Sequence, residues 1–274
     1  MKRISRLNEV CTVLKELTRG GMSEIYLGMY KSLNQLCIIK KIPKEGLKES
    51  DIIRQEGVKE GHILATLYHP CIPKLIDIIR EENVVFIIME FISGIAMDKL
   101  IKQSGSQMES IVVLWGIQLC EVFTYLHTRK EPIIYQDLKP ANIILKPNGK
   151  IVLIDFGAAK ILKSKETEDF ICLGTIGYAA PEQFDKYGKS DERTDIYGIG
   201  TTLYHLITGK NPDILCSSSS IFKSRILNCS KRMRKIIYKC TEQNPQNRYQ
   251  SCAKLLYDLN LCNKNNNASL SYLK

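Results

Sequence analysis

Apolar and polar positions along the chain fall into two textures. Over the first ninety residues, β-branched and apolar runs at 10–17, Glu24–Tyr30 and 35–42 alternate with turn-rich breaks, Arg19-Gly20-Gly21 and Ser32-Leu33-Asn34. Such runs predict strands. A single helical stretch follows over 51–67, where Ile53, Glu60, Leu64 and Leu67 share one stripe, and His69-Pro70 ends it. Residues 72–80 and 83–91 read as a hairpin with a charged tip. After Ser93-Gly94 the period changes. Residues 110–127 form a long helical pattern. Two short apolar runs, Ile143–Leu145 and 151–154, flank Lys146-Pro147-Asn148-Gly149-Lys150, and Asn-Gly between apolar runs signals a hairpin. From 195 to 260 the pattern is helical, broken at Gly209-Lys210-Asn211-Pro212 and Asn244-Pro245. The Asn/Ser-rich tail over 263–274 is expected to fray. There is no internal repeat. The pattern predicts an α+β chain: a small β-rich lobe, a short joint near 90–94 and a larger helical lobe. Clefts between such lobes are favoured sites for small ligands.

Composition narrows this picture. The ten cysteines include no CxxC pair, which argues against a zinc or redox site. Most sit among apolar neighbours, as in Leu36-Cys37-Ile38, and are expected to be free buried thiols in a reducing cytosol. The best apolar stretch, 83–89, meets Glu90 after six apolar residues, far short of the ~20 that a membrane span needs. The basic start, MKRISRLNEV, lacks an apolar region behind it, so no signal peptide is expected and the protein is assigned to the cytoplasm. Net charge is +10. Between 217 and 239 stand Lys223, Arg225, Lys231, Arg232, Arg234, Lys235 and Lys239 with no acid among them. This basic 223–239 stretch is either a solvated face or a docking patch for an acidic partner or membrane surface. No recognition motif accompanies it, so no DNA or RNA partner is expected.

Four short segments carry chemistry. Asp137-Leu138-Lys139-Pro140-Ala141-Asn142 is followed by Asp155-Phe156-Gly157, and then by Gly174-Thr175-Ile176-Gly177-Tyr178-Ala179-Ala180-Pro181-Glu182. Upstream lies Cys37-Ile38-Ile39-Lys40. In this order and at these spacings the sequence resembles the eukaryotic-type protein kinases over residues 8–260, and its variants resemble the bacterial branch. The resemblance implies a two-lobed kinase fold, with an N-lobe over 8–90, a hinge over 90–94, a C-lobe over 95–260 and a flexible tail over 261–274. It implies a Ser/Thr protein kinase that binds ATP with Mg²⁺, with Mn²⁺ as a substitute, and acts on a protein substrate and on itself.

The chemistry asks for these residue types, because phosphoryl transfer needs positioning and neutralised charge more than covalent help. By the resemblance, Asp137 accepts or orients the attacking hydroxyl proton. Lys139 reaches the γ-phosphate, and Thr175 bridges Asp137 and Lys139. Asn142 and Asp155 hold the metal, a hard ion that prefers oxygen. Lys40 holds the α- and β-phosphates and needs a helix carboxylate to aim it. Glu60 is assigned by its spacing to the following Leu-x-His-Pro, with Glu56, one turn earlier, as the rival. Leu17 and Ile25 lie above the adenine ring, Ile144 lies below it, and Met89 is the gatekeeper. Backbone groups at Glu90 and Ile92 read the ring's edge. Ile38 stands where the family usually has Ala and crowds the ring. Gly20, Gly21, Met22 and Ser23 form the phosphate-covering loop, although only Gly20 of the family's three glycines is kept.

Other departures and matches bear on regulation and stability. The family's His-Arg-Asp is Tyr135-Gln136-Asp137 here, and a neutral Gln cannot pair bidentately with a phosphate. Activity is therefore expected not to depend on loop phosphorylation read by residue 136, with Ser164 and Thr167 as candidate autophosphorylation sites. Glu182 and Arg248 match a structural ion pair, and Asp195 matches the aspartate that opens the central helix and holds the catalytic-loop backbone. Two rival functions stay open: a nucleotide-binding pseudokinase without turnover, and a kinase-fold enzyme with a non-protein acceptor.

Overall fold

The computed structural model describes residues 5–19, 23–43, 59–162, 174–185, 188–212 and 229–271, with side chains as far as Lys264. Gly20, Gly21, Met22, Glu56, Ser164, Thr167, Lys223 and Arg225 lie outside these residues. The chain is of mixed α+β class and divides into two units. One comprises 1–93 with 154–157; the other comprises 94–153 with 158–274.

The first unit is built on a five-stranded antiparallel sheet of order β1-β2-β3-β5-β4. Its strands are β1 (Cys11–Arg19), β2 (Glu24–Tyr30), β3 (Gln35–Pro43), β4 (Leu75–Arg80) and β5 (Val84–Glu90). Alternation gives each strand two faces. On one face Leu7, Cys11, Cys37, Ile39, Ile79, Phe86 and Ile88 form a core, roofed by the short helix α1 (Arg6–Val10). The sequence pattern did not single out α1. A Glu81 oxygen accepts Ser5 Oγ at 2.6 Å and the Leu7 amide at 3.2 Å, which fixes this one-and-a-half-turn helix. On the other face Lys40 of β3 lies opposite Ile25, and Ile38 lies opposite Leu27 and Met89. That face receives a helix of which 59–65 are described (α2). Gly61 packs so closely on it that an added Cβ would stand 2.7 Å from Ile78 Cδ1.

The second unit is helical with small ladders. It contains α3 (Met97–Ser104), α4 (Glu109–His127), α5 (Glu192–Thr208), α6 (Lys231–Cys240) and α7 (Cys252–Ser271). Strands β6 (Ile95–Ala96), β8 (Ile143–Leu145) and β9 (Ile151–Leu153) form one ladder. Strand β7 (Ile133–Ile134) pairs with β10 (Lys160–Ile161). The Asn-Gly turn closes as the spacing predicts: Gly149 has a left-handed φ of 78°, and Lys146 N donates to Lys150 O at 2.8 Å. Helix α5 begins with Asp191 as its cap, which accepts the Arg193 amide at 2.8 Å, so Asp195 falls in the first turn rather than at the opening position.

One expectation is corrected. Helix α4, whose most apolar 18-residue window has a mean hydropathy of 1.3, is long and apolar enough to cross a membrane, so the apolar stretch at 83–89 was not the best candidate. Val112, Val113, Leu119, Cys120, Val122, Phe123 and Leu126 are buried inside the unit, and a central core helix is apolar for that reason. Helix α7 runs from Cys252 to Ser271. Leu255, Leu259 and Cys262 dock its first three turns. Once a helix is nucleated, each added Asn forfeits only tenths of a kcal/mol, roughly, relative to Ala.

Candidate functional site

In the first unit, burial sets the chemistry around Lys40. Its ammonium is almost fully enclosed, 2.8 Å from Glu60 and 2.6 Å from Asp155 Oδ1. Burial disfavours the charge, but the two carboxylates outweigh it and hold the pKa above the usual lysine value. Burial pushes Glu60 the other way from an ordinary carboxylate, upward; Lys40 opposes this and Asp155 adds to it. Asp155 differs from Glu60 in being open, with 48% of its side chain exposed and a left-handed φ of 69°. A non-glycine residue in that region is uncommon and marks a constrained, often functional position. Gly157 donates its amide to Asp155 Oδ1 at 3.3 Å. A Cβ on Gly157 would come within 3.2 Å of that oxygen and 3.5 Å of Lys40 Nζ.

Leu17 sits at an irregularity of β1 between Glu16 and Thr18 and is 46% exposed; β1 is exposed throughout beyond Cys11. Ile25 and Ile38 are half-buried on the Lys40 face, Met89 is buried, and Glu90, Ile92 and Ser23 are half-buried. Ile144 is half-buried in β8 of the second unit.

In the second unit, three side chains converge on Asp137. Its Oδ1 accepts Thr175 Oγ1 at 2.7 Å. Its Oδ2 accepts Lys139 Nζ at 2.7 Å and Asn142 Nδ2 at 3.1 Å. Lys139 Nζ also donates to Thr175 Oγ1 at 2.7 Å, closing a triangle. Asn142 Nδ2 also donates to the Asp137 carbonyl at 2.9 Å. The amide nitrogen is thereby committed to Asp137, and Asn142 Oδ1 remains as its acceptor.

The backbone beneath this cluster is fixed from α5. Asp195, buried, accepts the amides of Tyr135 at 3.0 Å and Gln136 at 2.8 Å. Gln136 is left-handed at φ 67°, and its carbonyl accepts Gln183 Nε2 at 3.0 Å. Gly198 lets α5 approach: a Cβ there would meet Leu138 Cβ at 3.2 Å. Sequence reasoning missed two of these supports. Gln183 carries no sequence signal beyond its place after Glu182. His127, the last residue of α4, faces Asp195 Oδ2 through Nε2 at 2.8 Å. Cys252 Sγ lies 3.8 Å from His127 Nδ1, so Cys252, His127 and Asp195 stand in the order of a hydrolytic triad. Burial holds that thiol well above its ordinary value, so it is a core contact and not a nucleophile.

The expected structural pair is also present. Arg248 grips both oxygens of Glu182 at 2.7 and 2.8 Å. It gives its remaining donors to the carbonyls of Glu242, Arg193 and Gln243.

Asp155 in the first unit and Asn142 in the second each offer an oxygen donor of the hard type that Mg²⁺ takes. Among the described residues no group of three His, Cys, Asp or Glu could hold a metal. The oxygens of Asp155 and Asn142 are hard donors, too few to cage a cation. Mg²⁺ typically takes one or two carboxylates and completes its shell with waters and substrate phosphates. The eight described cysteines are free, and burial pushes Cys11 up to about 12 and Cys229 and Cys262 to about 11, away from metal-binding thiolates.

The chain matches the family model described as protein kinase domain over residues 11–272. It is 28% identical to a probable serine/threonine-protein kinase of Clostridium perfringens, over 94% of this chain and 39% of that protein. It is 27% identical to serine/threonine-protein kinase PrkC of Bacillus subtilis, over 94% of this chain and 41% of that protein. With serine/threonine-protein kinase PknA of a Nostoc species the identity is 30%, over 91% of this chain and 46% of that protein. The chain thus spans less than half the length of these relatives.

Proposed function

This chain belongs to the protein kinase domain family, in its bacterial Ser/Thr branch, and we propose that it transfers the γ-phosphoryl group of ATP to Ser or Thr hydroxyls of a protein. The observation that carries this reading is the closed triangle of Asp137, Lys139 and Thr175. A lysine two residues after the proposed base, with a threonine bridging the two, is the Ser/Thr kinase pattern that this sequence resembles. Lys40 holds nucleotide phosphates, and Glu60 keeps it aimed. Asp137 receives or orients the hydroxyl proton of the acceptor. Lys139 meets the negative charge of the transferred group. Asn142 and Asp155 supply oxygens for Mg²⁺. The bound ion neutralises charge on the phosphates. Leu17, Ile25, Ile38, Met89 and Ile144 take the adenine, and the loop of Gly20, Gly21, Met22 and Ser23 covers the phosphates. Domain limits of 8–260, with a hinge over 90–94, and a cytoplasmic setting belong to the same proposal. Free thiols throughout the described residues support that setting.

The test is transfer of γ-labelled phosphate from Mg·ATP to a generic basic protein and to the chain itself, with phosphoamino-acid analysis. Label on Ser and Thr is expected. Asp137→Asn is expected to reduce it by roughly 10²–10⁴-fold, the usual contribution of a positioned acid or base, and Lys40→Met should abolish it. Nucleotide binding without transfer would overturn the reading in favour of a pseudokinase, and label from α-labelled ATP would point to AMP transfer.

A further inference from the structure

Helix α6 carries five cations, Lys231, Arg232, Arg234, Lys235 and Lys239, and no acid. Four of them are exposed and Arg234 is half-buried. Among the described residues none forms an ion pair. Arg232 donates to the Leu261 carbonyl at 3.0 Å, and Lys239 sits 4.2 Å from the Tyr249 ring centroid. The acids nearby are engaged elsewhere. Glu109 accepts the Ser230 amide and hydroxyl, both at 2.6 Å, and Asp258 accepts Tyr249 OH at 2.7 Å.

Lys239 lies in the last turn, where the macrodipole favours a cation, but helix stability does not explain the rest of this charge. Lys231 and Arg232 occupy the first turn, where the macrodipole favours acids. Lys231, Lys235 and Lys239 repeat at i, i+4, i+8, and like charges at that spacing repel. The row spans ~12 Å with ~6 Å between neighbours, from a rise of ~1.5 Å per residue.

We propose that the exposed face of α6 docks an acidic protein segment, one that presents carboxylates at i, i+4 and i+8 of a helix. Such a stripe has the same pitch as the lysine row, and opposite charges in register supply both attraction and orientation. A bilayer suits the face less well. Interfacial helices insert an apolar face, whereas Met233, Ile236, Ile237 and Cys240 are buried in the unit's core. Phosphate-rich nucleic acid favours guanidinium forks, and Arg232 is already turned onto Leu261.

The probe is a fluorescein-labelled, alanine-rich helical peptide with Glu at i, i+4 and i+8, followed by anisotropy with the full chain at low and high salt. Binding is read without catalysis, so its failure is distinct from failure of the phosphoryl-transfer reading. Lys231→Gln/Lys235→Gln is expected to weaken binding about tenfold, as two partly exposed pairs supply. A peptide with its glutamates off the stripe should bind like the variant. The variant's melting temperature should be unchanged or slightly higher, since it removes repulsion. No binding by the wild type, equal binding by the variant, or tighter binding of phosphatidylserine vesicles or oligothymidylate would each overturn the proposal.

Discussion

At the scale of single residues, the decisive feature is how little freedom the buried charges have. Lys40 is held between Glu60 and Asp155, and only Asp155 is open to solvent. A lysine whose pKa is raised contributes stability below its unfolded value and loses it only as pH rises through the higher folded value. Lys40 should therefore stay charged throughout the neutral and mildly alkaline range. Glu60→Gln removes one of its two anchors and lets the ammonium swing toward Asp155. Displacements of ~1 Å in a positioned group cost about 10²-fold in rate. Glu60→Gln is accordingly expected to lower kcat/KM by about that factor while the fold survives, and steady-state kinetics beside a melting curve would check both halves. These residues were legible because each stands in a dense motif. His127 and Gln183 were not, because a single polar residue at the end of an apolar helix, or after a Pro-Glu, has no pattern to separate it from a core or surface side chain.

At the scale of elements, the strands of the first unit and the long helices of the second followed from hydrophobic period alone. The short α1 did not, since five residues carry too little period to register. Its stability comes from a distant acid: Ser5 Oγ and the Leu7 amide both donate to Glu81, and the Ser5 bond in particular holds that carboxyl below the usual range. The sign follows from linkage. A depressed carboxylate pKa gives stability that is present above the unfolded value of about 4.3 and is lost as pH falls through the folded one. The wild type should therefore lose melting temperature on acidification faster than Glu81→Gln does, with the two curves converging at the acid end. Parallel curves would show that Glu81 does not anchor α1.

At the scale of the whole molecule, Arg248 joins the Pro181–Gln183 turn, the start of α5 and the segment before α7. All five of its donors are satisfied and almost none of its surface is exposed. Removing one partner of a buried pair costs about 3–5 kcal/mol, because the other charge is left unpaired. Arg248→Ala is expected to lower the unfolding free energy of the second unit by that amount, measured by denaturant titration. Arg248→Lys should recover only a minor part, since an ammonium cannot reproduce a planar fork.

By itself, the sequence determined the division into a β-rich and a helical part, the positions of Lys40, Asp137, Asn142 and Asp155, and the partners Glu182 and Arg248. Hydrophobic period encodes the division, whereas the site positions and the Glu182–Arg248 pair, 66 residues apart, followed from the resemblance of the motifs to the protein kinases. Tertiary structure alone decided which groups complete the charges. It brought Asp155 to the Lys40 ammonium from 115 residues away, and set His127, 68 residues from Asp195, against that carboxylate. It also decided that the most membrane-like helix is a core helix. Such outcomes depend on what packs against a segment, and burial and long-range pairing have no local signature in the chain.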